Sequence, residues 1–325
     1  MMDLVFCGTP QFAVPTLRAL LDHGFSIRLV VTQPDRPSGR GLELSSSPVK
    51  QLALERGLPI TQPDRIKNNQ EFRAQLDSIQ PAAIVVVGYG RIIPQWMIDL
   101  PPLGNINLHA SLLPKYRGAA PIQWAIAMGE TVAGVTTMRI DAGLDTGDIL
   151  LQRQLPIAPE DTAVTLAPRL AEIGAELMVE TLPALEQGKI QPHPQDHSQS
   201  SLAPILKKED GLIDFQMTAT EICNRLRGFQ PWPGIFTIFR GKHLTITAAR
   251  PLAKASVELE PALLKLESDR LLVGCGGSTA IELLEVQPEG KKRMSIKDFI
   301  NGYRPKPAEK LGQPATESAP AKTQA

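Results

Sequence analysis

Apolar residues in the first half of the chain come in short, unbroken runs. Residues 4–7 and 82–87 are of this kind, the latter rich in β-branched side chains, and residues 27–32 repeat the strand pattern around Arg28. A strand covered on both faces needs such a run. Residues 105–108 and 134–140, though interrupted by polar side chains, read as two more strands. Helical patterns lie between them, at residues 10–23, 49–56, 69–79 and 121–128. Strand alternating with helix predicts a doubly wound parallel sheet in an α/β domain. A longer helix is predicted over residues 162–187, where Leu166, Leu170, Ile173, Leu177 and Leu182 form a core-facing stripe.

The pattern then changes. Residues 190–208 are rich in Pro, Gln, Ser and His and show no periodicity, which reads as a linker. Pro192 and Pro194 exclude a helix that would bring His193 and His197 together on a metal, so both are expected to be exposed linker side chains. Beyond it, one helix at 218–229 precedes short strands at 234–239, 243–248, 271–275 and 280–286, the signature of a small antiparallel barrel. Residues 306–325 hold one large apolar side chain, Leu311, and are expected to be disordered. The expected division is a domain at 1–189, a linker at 190–208, a second domain at 209–305 and a tail.

Composition agrees with two domains, because 325 residues exceed what one core usually supports, about 250–300. Lys plus Arg equals Asp plus Glu at 34 each, so no global basic field advertises a nucleic acid. The charge is uneven, however. Residues 1–200 hold 16 basic and 20 acidic side chains, and residues 201–305 hold 15 and 12. The second half therefore has room to meet a polyanion. Cys7, Cys223 and Cys275 lie too far apart for a metal-ligand motif, so no metal is expected, and their sparse use fits a reducing compartment, the cytoplasm. The longest apolar run, 82–87, is far below the ~18 residues of a membrane span.

Two loops carry candidate chemistry. N-L-H-A-S-L-L-P-K-Y-R-G-A-A-P at 107–121 puts Asn107 and His109 on one side of a strand, by period two, at its carboxyl end. Open α/β sheets build their sites there. D-A-G-L-D-T-G-D at 141–148 offers Asp141, Asp145 and Asp148 from a glycine-rich turn, and spacing alone leaves open which of them faces His109. An amide donor, an imidazole and a carboxylate can stabilise an oxyanion and move protons. A nicotinamide site fits poorly, because Gly8-Thr9-Pro10 holds one glycine where the dinucleotide fingerprint needs three, and Asp35 lies too far downstream for the ribose. The polar loop at 36–50 presents Arg36 and Arg40 among glycines, a way to grip a phosphate backbone.

These motifs, with G-T-P-Q-F-A, Q-P-D-R-P-S-G-R-G, S-P-V-K, Y-R-G-A-A-P-I-Q-W and Q-P-W-P-G, resemble the folate-dependent formyltransferases, and among them the members that act on methionyl initiator tRNA. The resemblance runs from about residue 4 to residue 304. It implies a Rossmann-like doubly wound domain followed by a smaller OB-like β-barrel. It implies transfer of a formyl group from 10-formyltetrahydrofolate to the α-amine of methionyl initiator tRNA, by a monomer. Asn107, His109 and Asp145 would be the catalytic trio. Arg91, Ile92, Ile93, Ser111, Leu112, Leu113, Pro114 and Asp141 would line the folate. Phe12, Arg36 and Arg40 would face the tRNA. Where relatives carry lysines after the loop's R-G, this chain has Leu42-Glu43-Leu44, and Lys207 and Lys208 could supply positive charge instead.

Overall fold

A computed structural model describes residues 2–38, 43–252, 259–307 and 309–312. The chain divides into two compact units. One comprises Met1–Ile122, Thr131–Ala158 and Thr165–Ile205; the other comprises Gln123–Glu130, Pro159–Val164 and Leu206–Ala325.

The first unit is built on β1 (Asp3–Gly8), α1 (Val14–Asp22), β2 (Ser26–Val31), β3 (Arg36–Ser38), β4 (Glu43–Ser45), α2 (Pro48–Glu55), β5 (Ile60–Thr61), α3 (Gln70–Ile79), β6 (Ala83–Val87), α4 (Gln95–Ile98) and β7 (Asn105–His109). β8 (Val132–Arg139), β9 (Ile149–Pro156) and nearly all of α6 (Ala163–Glu186) follow, while α5 (Pro121–Ala127) belongs from Gln123 onward to the second unit. Its sheet has the order β5-β2-β1-β6-β7-β8-β9. The first five strands run parallel. β8 and β9 are antiparallel to their neighbours, so the sheet is parallel-dominated rather than purely parallel. The short turn after β8 can only return β9 antiparallel to it, whereas β8 is itself reversed against β7 across the longer connection through α5.

Continuous apolar runs bury all of β6 and all of β1 after Asp3, and Val5, Cys7, Val31, Phe72, Ile84, Tyr89 and Met97 form one core cluster. Burial pushes the Cys7 thiol up, as expected of a small core residue. Helix α6 lies against β7 and β8. Leu108 occupies the space a Cβ on Gly174 would need, and Thr181 shares a hydrogen bond with Thr137. Chain order reverses between β1 and β6, so the carboxyl ends of β1, β6 and β7 form the mouth expected to hold a ligand.

Several expectations change here. The polar loop at 36–50 contains the β3–β4 hairpin, and α2 begins inside it, because Ser47 caps Lys50 N–H and Pro48 suits a first helical turn. Arg40 lies outside the described residues. The linker is anchored: His193 pairs with Ile149, Arg117 with Leu202, and Gln195 is buried, so residues up to 205 belong to the first unit. The side chains of His193 and His197 are exposed, as expected.

The second unit contains α7 (Ala219–Gly228), β10 (Ile235–Phe239), β11 (Lys242–Leu252), β12 (Leu264–Glu267), β13 (Arg270–Cys275), β14 (Thr279–Pro288), β15 (Met294–Ser295) and α8 (Ile296–Tyr303). The strands form an antiparallel sheet, β10-β11-β14-β13-β12, with β15 on β14. Among the described residues it does not close into a barrel, since β10 and β12 remain its ends. Disorder from Lys306 onward does not hold for residues 309–312. Leu311 is buried, Glu309 binds Arg240, and the backbone pairs with Ala262 and Ile238. One apolar side chain suffices there because neighbouring backbone groups also need partners. No helix among the described residues is long and apolar enough to cross a membrane.

Candidate active site

β7 delivers Asn107 and His109 to the sheet's mouth, two residues apart on the same face. Backbone pairing on both sides, to β6 and β8, holds this strand rigidly. The third strand residue on that face, Asn105, is spent on structure: its amide donates to the carbonyls of Met97 and Ile98. Asn107 is only half-buried, and its carboxamide makes no hydrogen bond among the described residues. A carboxamide fixed on a strand with unused donors is suited to a ligand oxygen.

His109 is 6% exposed and sits 3.7 Å, Nδ1 to Oδ2, from Asp145. Its Nε2 lies 2.9 Å from the carbonyl of Tyr116. A carbonyl can only accept, so Nε2 carries the proton and Nδ1 is the nitrogen turned toward the acid. Of the three loop carboxylates, Asp145 is therefore the one that meets the imidazole. Its backbone is left-handed, φ 51°, and Oδ2 accepts from the Gly118 N–H at 2.8 Å. Gly118 is itself at φ 117°, and a Cβ there would stand 2.8 Å from the Ala203 carbonyl, so only glycine fits. Asp141 instead closes its own turn, accepting from Gly143 N–H and from the Thr146 hydroxyl.

The residues expected along the folate divide by exposure. Ile92 is 91% exposed while Ile93 is buried, and Arg91 donates to the Asp64 carbonyl. The Arg91 Nε and the Tyr89 hydroxyl are buried without a partner, so two polar groups near the end of β6 remain unmet. Ser111 and Leu113 are buried, and Leu112 and Pro114 are half-buried. The Thr136 hydroxyl locks this turn by donating to the Ser111 carbonyl and accepting from the Leu113 N–H. Gln152 adds a bond to the Leu113 carbonyl. Neither Thr136 nor Gln152 stood out in the sequence, because each looks like an ordinary polar strand residue.

The residues expected to face RNA are spread over both units. Phe12 is half-buried, and Arg36 is exposed with one long contact to Gln33. Lys207 and Lys208 are exposed in the second unit. Asp35 is bound by Lys50 and Gln62, and the Lys50 ammonium holds its carboxyl below the usual range, so it is a loop anchor and not a ribose ligand.

Comparison with known proteins agrees along the chain. A formyl transferase model matches residues 2–182, and a formyl transferase C-terminal domain model matches residues 205–304. A methionyl-tRNA formyltransferase of Koribacter versatilis is 69% identical over 96% of this chain and 99% of its own length. That of Acidobacterium capsulatum is 60% identical over 96% of this chain and 100% of its own. Among solved structures, an N-formyltransferase from Helicobacter canadensis, in complex with folinic acid and dTDP-3-aminofucose, shares the fold. Its TM-score is 0.65 at 20% identity, covering 89% of this chain and 100% of that one. Two domain matches thus span most of the sequence, and the chain belongs to the formyl transferase family.

Proposed function

We propose that the chain is a methionyl-tRNA formyltransferase, moving the formyl group of 10-formyltetrahydrofolate to the α-amine of methionyl initiator tRNA. The observation that carries this reading is the full-length identity to enzymes of that name, 69% and 60%, together with the converged site. All three catalytic groups come from one chain, which suits a monomer, and the substrates suit the cytoplasm. The second unit, with its basic excess and exposed Lys207 and Lys208, is read as an OB-like RNA-contacting module, joined in this by Phe12, Arg36 and Arg40.

The folate co-substrate fits the mouth. The exposed face of Ile92, Arg91 beside it and the turn 111–114 are read as the surfaces a heterocycle meets. Ile93 is buried in the core cluster, and the exposed Asp141 turn is read as a further folate contact.

The neutral α-amine attacks the formyl carbon, and negative charge grows on the formyl oxygen. Asn107 donates to that oxygen. Its loss should cost about 10²–10³-fold in turnover, the usual worth of one such donor. The bond from His109 Nε2 to Tyr116 fixes the ring, so His109 exchanges protons through Nδ1. Asp145 stabilises the imidazolium. The C–N bond to the amine forms, the bond from the formyl carbon to the folate nitrogen breaks, and the proton leaving the amine reaches that nitrogen through His109 and water.

One assay separates this from hydrolysis by the same trio. Incubated with 10-formyltetrahydrofolate, the protein should transfer formyl to charged initiator tRNA, and Asn107→Ala and His109→Ala should each lower transfer by at least about 10²-fold without unfolding. Formate release that ignores tRNA would identify a hydrolase, and near-parental turnover of His109→Ala would refute the site.

A further inference from the structure

We propose that Gln195 is a positioning residue for the Asp145 carboxylate, acting from a strap of chain laid across the back of the site; this rests on the reading of Asp145 above. Among residues 191–200 Gln195 alone is buried, at 6% exposure, while the histidines and charged side chains around it face solvent. A single polar side chain turned inward from an exposed strap must find partners for every group it buries.

Gln195 does so completely. Its amide nitrogen donates to the Asp145 carbonyl at 2.9 Å and to the Gly147 carbonyl at 2.7 Å. Its oxygen accepts from Arg117 Nε at 3.1 Å and Nη2 at 2.6 Å. A guanidinium only donates and a carbonyl only accepts, so the partners themselves dictate which way the amide faces. Arg117 is buried too, and the strap grips its backbone on both sides, through Ser201 and Ala203.

The consequence reaches the acid. Asp145 stands in a left-handed conformation, which a non-glycine residue keeps only when its surroundings impose it. Two hydrogen bonds impose it here: Gln195 holds the carbonyl, and the Gly118 N–H holds the carboxylate. Gly118 directly follows Arg117, the residue that Gln195 clamps. The strap therefore fixes at once the loop that carries the Asp145 carboxylate and the amide that aims it at His109.

Gln195→Met keeps the length and removes all four hydrogen bonds. Gln195→Glu keeps acceptance from Arg117 and removes only the two donors. Single-turnover rates with saturating 10-formyltetrahydrofolate and charged initiator tRNA should fall about 10–100-fold in both, as for other residues that orient a catalytic group. Half-saturating concentrations of both substrates should stay within about twofold. If Gln195→Met does not fold, Gln195→Glu alone decides. The distinguishing measurement is a double-mutant cycle. In an Asp145→Asn background, whose carboxylate is gone, changing Gln195 should cost less than about twofold more. A full, additive loss in that background, or parental rates for Gln195→Glu, overturns the proposal while leaving the catalytic trio intact. Parental rates for Asp145→Asn itself overturn the reading of Asp145, and this one with it.

Discussion

Asp145→Asn tests the site at its most electrostatic point. The substitution keeps the shape of the side chain, and its oxygen still accepts from the Gly118 N–H. What disappears is one negative charge 3.7 Å from His109 Nδ1, in a pair that is 6% and 18% exposed. Two unit charges at that separation attract by about 4.5 kcal/mol at an effective dielectric constant of about 20. If the imidazolium is fully formed in the transition state, that energy corresponds to roughly three orders of magnitude in rate. Turnover should therefore fall about 10³-fold with both substrates saturating. Folate affinity and the thermal midpoint should change little, because the fold and the mouth are untouched. The assay is formyl transfer to charged initiator tRNA, run beside fluorescence titration of the folate and a thermal melt. A loss below tenfold in a folded, folate-binding variant would refute the idea that charge on Asp145 stabilises His109.

Three further outcomes follow from the structure. Thr136→Val removes a buried hydroxyl that ties the Ser111–Leu113 turn and leaves the Leu113 N–H unpaired. It should cost about 1–3 kcal/mol in denaturant unfolding and weaken folate binding in titration. In the second unit, Arg270 and then Arg250 hold the nearly buried Glu282 carboxyl below its usual range. A depressed carboxyl stabilises the fold above its unfolded value and loses that contribution as pH falls through the folded one. Glu282→Gln should thus lower the thermal midpoint at neutral pH, and the gap to the parent should close below about pH 4. Lys207→Ala with Lys208→Ala should weaken tRNA binding and flatten its dependence on salt, leaving folate binding unchanged, as titrations over a range of ionic strengths would measure.

Much of the fold was legible because burial leaves a period in the chain. Residues 82–87 read as a doubly covered strand, and β6 is one, at the centre of the sheet. The stripe from Leu166 to Leu182 marked α6 to within a residue at either end. Edge elements were harder. β9 reads Ile-Leu-Leu-Gln-Arg-Gln-Leu-Pro, with three of its eight side chains exposed and one buried, and β5 is two residues long, so neither stands above the noise of composition. The β3–β4 hairpin hid inside a polar loop for the same reason. Residues 190–205 were the largest difference. Their anchorage depends on Gln195 and on backbone pairing with Arg117 and Ile149, which no local pattern reports.

Alone, the chain's order of residues determined which side chains had chemistry to offer: an amide and an imidazole at the end of a buried strand, and acids in a glycine turn. That much follows from local rules, since period and turn chemistry act over a few neighbouring residues. Tertiary structure decided which acid meets the imidazole and which of its nitrogens faces that acid. It also decided that Asp141 serves its own turn while Asp145 is held by Gly118 and Gln195. Those choices rest on contacts between residues 27, 50 and 78 positions apart, and only the packed sheet and its strap bring such groups within hydrogen-bond distance.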